Sequence, residues 1–240
     1  MTAATAQAWI AVIGAFLAAL LGLFKYFDYR SKRDRLAAVG SSFAATVEAL
    51  ASDNETKRMA GAVLLRRFFQ RGTEQGAGRT PYSHEAVEVI AGLLREDQPE
   101  RLQKVLADGL HVAGDLTGAD LQRCCLRRAY LGRKRGDRRA LVLSQADLFE
   151  ADCTGTSLRE VVAVDTVFYR TTLVDTVFVD AILTGADFRH AVLSGADFSG
   201  ALIGGARFAG ATNVPSAVAA LLDDEDTAPV GARVGTPAPA

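Results

Sequence analysis

The chain has few of the residues that build metal sites and disulfide frameworks. Its 240 residues include three cysteines and three histidines. Adjacent Cys124 and Cys125 lack the spacing of paired zinc ligands, and Cys153 stands apart from them. The histidines are scattered, with no carboxylate at a telling spacing: His84, His111 and His190. We therefore expect structural or surface roles for these six side chains, with no bound metal or cofactor.

Motifs that carry common chemistry are missing as well. The sequence has no G-x-S-x-G nucleophile turn, no phosphate-binding glycine loop and no H-E-x-x-H helix. Its formal net charge is −1, so there is no global electrostatic attraction to nucleic acid. These absences favour a protein that binds or organises partners, and we expect neither catalytic residues nor a nucleic-acid partner.

What the chain does have is a five-residue period over residues 112–213. A small or β-branched residue is followed two places later by a residue, here called the centre of a pentad, that is Leu or Phe in most copies. A period of five fits neither a helix nor a flat strand, so the backbone must turn a corner every five residues. The eighteen centres are Leu116, Leu121, Leu126, Leu131, Leu143, Leu148, Cys153, Leu158, Ala163, Phe168, Leu173, Phe178, Leu183, Phe188, Leu193, Phe198, Ile203 and Phe208.

The repeat separates an inside from an outside. Each centre, and the small residue two places before it, must point inward, because only these two positions are consistently apolar or small. The remaining three positions carry mostly Asp, Arg, Thr, Ser and Gly and are expected to face water.

Four copies match the motif A(D/N)Lxx in full, with Phe accepted for Leu: Ala119-Asp120-Leu121, Ala146-Asp147-Leu148, Ala186-Asp187-Phe188 and Ala196-Asp197-Phe198. Over residues 113–213 the sequence thus resembles the pentapeptide-repeat family. The resemblance implies a mainly β fold, a right-handed quadrilateral solenoid in which four pentads form one coil. Eighteen pentads would make about 4.5 coils, a rod about 22 Å long at about 4.8 Å per coil.

A coil of twenty residues makes a prediction about the core. Phe168, Phe188 and Phe208 should form one column, and Phe178 and Phe198 the opposite one. Aromatic residues would then meet aromatic residues across the interior.

One insertion interrupts the repeat. Twelve residues separate Leu131 from Leu143, two more than two pentads, which predicts a corner loop at residues 132–142. The sequence leaves open whether the loop replaces a face or extends one. It also leaves open whether the loop's charges are simply solvated, touch anionic lipid at about 1 kcal/mol each, or bind an acidic partner or nucleic acid. These basic residues are Arg133, Lys134, Arg135, Arg138 and Arg139.

Four aliphatic residues recur at one outward position. Val142, Val162, Ile182 and Leu202 each precede a centre by one and lie twenty residues apart. This aliphatic column predicts a contact surface. Its partner would be the helical domain, a C-terminal helix or a second copy. The alternative is that β-branched residues simply suit strands.

A long apolar run precedes the repeat. Residues 8–24 carry no charged side chain, and as a helix they would span about 26 Å. Basic residues follow the run and none precedes it, which predicts a single-pass anchor at residues 8–29 in the plasma membrane. Residues 1–7 would lie outside and the rest of the chain in the cytoplasm. A cleaved signal peptide and a buried helix are the alternatives.

Small residues recur every four positions within this run. Gly14, Ala18 and Gly22 would allow close packing of transmembrane helices in a homo-oligomer. An alanine-rich segment can also meet this spacing by chance.

Helical spacing predicts a small α-helical domain at residues 30–111, resembling short HEAT-like helix pairs. Asp53 and Ser83 are expected as helix N-caps. A short helix at residues 214–224 would cover the far end of the solenoid. Residues 225–240, rich in Pro, Ala and Gly, are predicted to be disordered.

These features favour a non-enzymatic, membrane-tethered scaffold whose cytoplasmic repeat mediates protein–protein interaction, including self-association. A second hypothesis is an oligomerising membrane effector that perturbs the bilayer through its anchor helices. A third comes from the family resemblance: a DNA-mimicking topoisomerase inhibitor, since some members inhibit DNA gyrase with an acidic rod. Modest acidity and the basic insertion argue against the third. The sequence does not identify the partner.

Overall fold

The computed structural model describes the backbone of residues 3–70, 82–133 and 139–235, and within these ranges it describes side chains from residue 23 onward. The chain divides into two compact units, Met1–Ala44 and Ala45–Ala240. The helices are α1 (Ala3–Leu50), α2 (Glu55–Leu65) with a 3₁₀ turn at Arg66–Phe69, α3 (Tyr82–Leu94), α4 (Glu100–Ala113) and α5 (Ser216–Ala219).

The first unit consists of most of α1. Among the residues that the structure describes, no helix is long and apolar enough to cross a membrane. The anchor predicted at residues 8–29 falls mainly outside the described side chains, as do Gly14, Ala18 and Gly22. The anchor therefore stays a prediction.

Two helix boundaries differ from the sequence expectation. The N-cap of α2 is Asn54, whose side chain accepts a hydrogen bond from the Lys57 backbone N–H at 3.0 Å, so the prediction of Asp53 was one residue early. Helix α3 begins at Tyr82, which places Ser83 inside its first turn. The apolar faces of these helices and of α4 share a core. Its largest fully buried side chains are Leu65, Phe68, Ile90, Leu94, Leu102, Leu106 and Leu110.

The second half of the chain is a β-solenoid with four faces, so the predicted pentapeptide-repeat fold is confirmed. Each pentad contributes a single bridged residue, and these residues pair in parallel with the coils above and below. Long strands do not form, because the residue two places after most centres has a positive φ that turns the chain. These φ values run from 52° at Asp175 to 73° at Gly205.

The aromatic core follows the predicted columns. Phe168 stacks on Phe188 at 4.9 Å between ring centroids, and Phe188 stacks on Phe208 at 5.0 Å. In the facing column, the Phe178 and Phe198 rings lie 4.8 Å apart. Rings of the two columns meet edge to face, an arrangement that aromatic quadrupoles favour.

Inward threonines replace alanine without leaving a buried hydroxyl unpaired. Thr166, Thr171 and Thr176 are fully buried, and each donates a 2.8 Å hydrogen bond to a carbonyl of the coil before it. These bonds offset the cost of burying the hydroxyls.

The insertion extends one corner and replaces no face. Asp115 pairs with Val142, whereas Val142 pairs with Val162, so the first coil is seven residues longer than the next. Tyr130 still pairs with Ser157, so all four faces of the first coil are present.

Helices α3 and α4 cover the open edge of the first coil. The Leu94 carbonyl accepts the backbone N–H of Cys125 at 2.7 Å. The Gln103 side-chain amide donates to the Cys125 carbonyl at 3.0 Å, and the Asp108 carboxylate accepts the N–H of Tyr130 at 3.2 Å. Backbone groups of the first coil that could otherwise pair with a strand of another molecule are thereby hydrogen-bonded.

The C-terminal end differs from the prediction. The helix expected at residues 214–224 is limited to Ser216–Ala219, and the predicted disorder is wrong for residues 225–235. This segment runs antiparallel along the last coil, where the N–H groups of Ile203 and Phe208 donate to its carbonyls. Without this segment, the two N–H groups would lie unpaired at the open edge of the last coil. Pairing with them orders a segment whose sequence has little preference for a helix or a strand. Residues 236–240 lie outside the described part of the chain.

Candidate interaction surface

The aliphatic column forms one continuous row on the solenoid surface. Val142, Val162, Ile182 and Leu202 pair successively in parallel bridges, and each side chain is half-exposed. The row is held by backbone hydrogen bonds in every coil, such as Val162 N–H to the Leu141 carbonyl at 3.0 Å. A partner would therefore meet a fixed ladder of aliphatic side chains.

The outward positions next to the column carry no charge, and charged residues begin at the corners of the solenoid. The neighbouring outward positions hold Ser144, Val164, Thr184 and Gly204. On the corner after the column, Asp165 is the one acid, and its carboxylate lies over Gly185, where a Cβ would overlap it. On the corner before the column, Glu160 and Asp180 are both paired with Arg159, at 3.4 Å each. Gly185 has a φ of 70°, a conformation that favours glycine, and the Asp165 carboxylate leaves no space for a Cβ there.

Two oppositely charged residues close the ends of the column. Asp115 pairs with Val142 at one end, and Arg233 pairs with Leu202 at the other. Both residues are exposed. The sequence interpretation missed both, because Asp115 precedes the insertion and Arg233 lies in the segment expected to be disordered.

An ion-pair network occupies the next face. The Asp187 carboxylate is 2.7 Å from the Arg189 guanidinium and 3.1 Å from that of Arg207. Burial by itself would raise the pKa of Asp187, but the hydrogen bonds from Arg189 and the charges of both arginines together hold that pKa below its usual range.

The basic residues of the first coil are paired with acids. Arg123 contacts Glu150 at 3.1 Å, Arg127 contacts Asp152 at 2.6 Å, and Arg128 contacts Glu100 at 3.3 Å. Burial works to raise the pKa of Asp152, but hydrogen bonds from Thr154 and Arg127 outweigh it and lower the pKa.

The predicted basic loop is described only at its two ends. Arg133 pairs with Glu160 at 3.2 Å, and Arg139 is exposed. Lys134, Arg135 and Arg138 lie outside the described residues. The three interpretations of this loop, as solvated charge, as a contact with lipid or an acidic partner, or as a nucleic-acid contact, therefore stay hypotheses.

An open cleft of about 900 Å³ lies between the α3–α4 connection and the first two coils. Arg95, Arg123, Arg127 and Arg128 line it, and each of them is in an ion pair. Because these charges are already compensated, the cleft has little net attraction for an anionic ligand.

The cysteines fall into two environments. Cys124 and Cys153 are fully buried, and burial raises the pKa of the Cys124 thiol to about 12 and that of Cys153 further. Cys125 is half-exposed. Within the described ranges, no group of three or more His, Cys, Asp and Glu side chains is arranged to hold a metal ion.

Comparison with known proteins identifies the repeat. Residues 171–210 match the family described as pentapeptide repeats, in eight copies. No curated protein matches the chain.

Three solved structures are similar in part. The pentapeptide repeat protein Rfr23 of the cyanobacterium Cyanothece 51142 is 22% identical over 54% of this chain and 91% of its own, with a TM-score of 0.31. A pentapeptide repeat protein of the Arabidopsis thaliana thylakoid lumen is 24% identical over 50% of this chain and 85% of its own, with a TM-score of 0.34. QnrB1, a plasmid-mediated fluoroquinolone resistance protein, is 14% identical over 40% of this chain and 62% of its own, with a TM-score of 0.27.

Proposed function

We propose that this chain, whose second half consists of pentapeptide repeats folded as a β-solenoid, is a non-enzymatic scaffold tethered to the cytoplasmic face of the plasma membrane. Its solenoid binds a protein partner, and its apolar N-terminal run anchors the chain in the membrane. The observation that carries the proposal is the aliphatic column, a row of outward apolar side chains in successive coils.

The solenoid suits recognition by shape. Every coil is hydrogen-bonded to its neighbours and filled by close-packed side chains, so its surface loses little conformational entropy when a partner binds. Half-exposed aliphatic side chains gain about 25 cal/mol for each Å² of apolar surface that the partner covers. The face therefore offers modest hydrophobic affinity at a low ordering cost.

Exposed side chains near the N-terminal run support the tether. Phe24, Tyr26, Phe27 and Tyr29 are between 56% and 68% exposed, an unusual amount of aromatic surface to leave in water. They follow the apolar run at residues 8–24, where aromatic residues commonly mark a membrane interface.

Crosslinking and mass spectrometry in native membranes test the proposal. We expect the full chain in the membrane fraction, linked to a protein partner or to itself through the aliphatic column. A variant lacking residues 8–24 should leave the membrane fraction and keep a folded solenoid. Recovery of wild type in the soluble fraction would refute the tether, and the absence of any crosslinked partner would refute the scaffold role.

The effector hypothesis rests on the spacing of Gly14, Ala18 and Gly22. It predicts that overexpression is toxic and that Gly14→Leu/Gly22→Leu removes the toxicity without changing membrane localisation. A chain that is harmless when overexpressed would reject this hypothesis.

DNA mimicry receives less support from the charges. Glu150, Asp152, Glu160, Asp180 and Asp187 all pair with arginines, so much of the solenoid's negative charge is compensated locally. An exposed, unpaired acidic surface would be needed to imitate a phosphate backbone.

A further inference from the structure

We propose that the partner of the aliphatic column is the same column of a second copy of this chain, in an antiparallel, two-fold arrangement. The inference rests on the proposed scaffold function and names its partner. It follows from the order of residues along the extended column, defined here as the aliphatic column with Asp115 and Arg233 at its ends.

The extended column is complementary to itself when two copies face in opposite directions. It has six rungs, an acid, four aliphatic residues and a base. A two-fold axis through its midpoint lies between Val162 and Ile182. Val162 then faces Ile182 of the partner, and Val142 faces Leu202 of the partner. An isologous interface requires this kind of self-complementary order.

The end charges provide the direction. Under the same symmetry, Asp115 of each copy meets Arg233 of the other. A parallel arrangement would instead bring Asp115 against Asp115 and Arg233 against Arg233. Because like charges in contact are strongly unfavourable, the ends select the antiparallel pairing even though rim charges add little affinity.

Neither end charge has an ionic partner among the described residues of its own chain. The Asp115 carboxylate accepts the Thr117 hydroxyl at 2.7 Å and the Thr117 N–H at 3.1 Å, both through the same oxygen. The Nε of Arg233 donates to the Gly200 carbonyl at 3.0 Å, so the two terminal nitrogens remain for a second molecule.

The contact area indicates the strength of pairing. Six rungs at about 4.8 Å cover about 24 Å, and a face roughly 10 Å wide gives roughly 250 Å² per copy. Stable dimers bury about 800 Å² per partner. We therefore expect weak pairing in dilute solution and much stronger pairing between copies held on one membrane, where the effective concentration is high.

A zero-length crosslink gives a readout that other dimer contacts do not produce. In the full chain carrying Arg233→Lys, a carbodiimide can join the Asp115 carboxylate to the new amine when the two groups touch. The two positions lie about 24 Å apart within one chain, so this link forms only between chains. We expect mass spectrometry to detect it in membranes, and we expect Arg207→Lys, on another face, to give no link to Asp115.

Matched substitutions locate the contact. Ile182→Asp should reduce the yield of the link at least tenfold. Val192→Asp, at a half-exposed aliphatic position on the opposite face, should leave it unchanged. Thermal unfolding monitors whether both variants remain folded. A second arm, Asp115→Lys/Arg233→Asp, exchanges the charges and should restore linking between the same two positions.

The inference is overturned if the Arg233→Lys chain gives no link, if Ile182→Asp leaves the link intact, or if the exchanged pair does not link. These outcomes leave the scaffold function standing wherever membrane crosslinking still recovers a different protein. Failure of the scaffold function is distinct, because it requires that no partner of any kind be recovered.

Discussion

At the scale of single residues, the corners of the solenoid set the strictest requirements. The corner residue two places after most centres adopts a left-handed conformation, which costs a residue other than glycine about 1–2 kcal/mol. Many of these corners hold Asp, Glu or Arg, so the fold tolerates the strain when space is available. Gly185 differs because the Asp165 carboxylate occupies the position of its missing Cβ.

Gly185→Ala should therefore destabilise the protein more than a left-handed alanine does by itself. The matched control is Gly118→Ala, where φ is 68° and no atom lies within 4 Å of the added Cβ. We expect a loss of about 1 kcal/mol for the control and clearly more for Gly185→Ala, measured by urea unfolding. Asp165→Ala should remove the difference. Equal losses in both variants would show that the Asp165 contact is unimportant.

The buried acid Asp187 should make stability depend on pH. Its folded-state pKa is below the ordinary value of 3.8, so its contribution is complete above that value and is lost as pH falls through the folded pKa. Asp187→Asn should cost about 1–3 kcal/mol at neutral pH. The difference in the free energy of unfolding between wild type and Asp187→Asn, measured by urea unfolding, should become smaller in acid. A difference that is constant from neutral pH to strong acid would contradict this assignment.

The three thiols should differ in reactivity. Burial and raised pKa values protect Cys124 and Cys153, whereas Cys125 is half-exposed. We expect iodoacetamide to label one site in the folded chain and three in the denatured chain, counted by mass. Cys125→Ser should abolish labelling of the folded protein. Rapid modification of Cys153 in the folded chain would show that the core opens.

At the scale of elements, both ends of the solenoid are closed by segments that contribute backbone partners. The first coil receives them from α3, α4 and their side chains, and the last coil from residues 226–234. A repeat stack with an open end would expose unpaired N–H and C=O groups and apolar core. The caps are therefore needed to keep the ends of the solenoid from associating with other chains.

Ala228→Asp tests the C-terminal cap. Ala228 is 1% exposed and its N–H donates to the Ala206 carbonyl at 2.9 Å, so a carboxylate there would detach the segment. We expect a loss of more than about 2 kcal/mol and faster aggregation, followed by thermal unfolding and light scattering. Val230→Asp is the control, because Val230 is fully exposed. A similar loss in both variants would mean that charge in this segment, and not detachment, is responsible.

At the scale of the whole molecule, the proposed function depends on one face of the solenoid. The interior is filled by the repeat, and the charged faces are largely compensated by local ion pairs. The extended column instead exposes apolar side chains and two end charges that have no ionic partner among the described residues, so we propose that a second molecule binds there. If the N-terminal run holds the chain on a membrane, that surface meets its partner in two dimensions.

Sequence alone determined the repeat, the inward columns of phenylalanine and the aliphatic column. Each of them depends only on a five-residue period and on four pentads forming one coil of twenty residues. It did not determine the path of the insertion, since a loop length fits more than one corner geometry. Nor could it place Arg233, which reaches the column only after the chain reverses and pairs with the last coil. Only the tertiary structure decided that pairing, because the unpaired N–H groups of Ile203 and Phe208 at the edge of the last coil bind the C-terminal segment. Arg233 is thereby placed at one end of the column and Asp115 lies at the other.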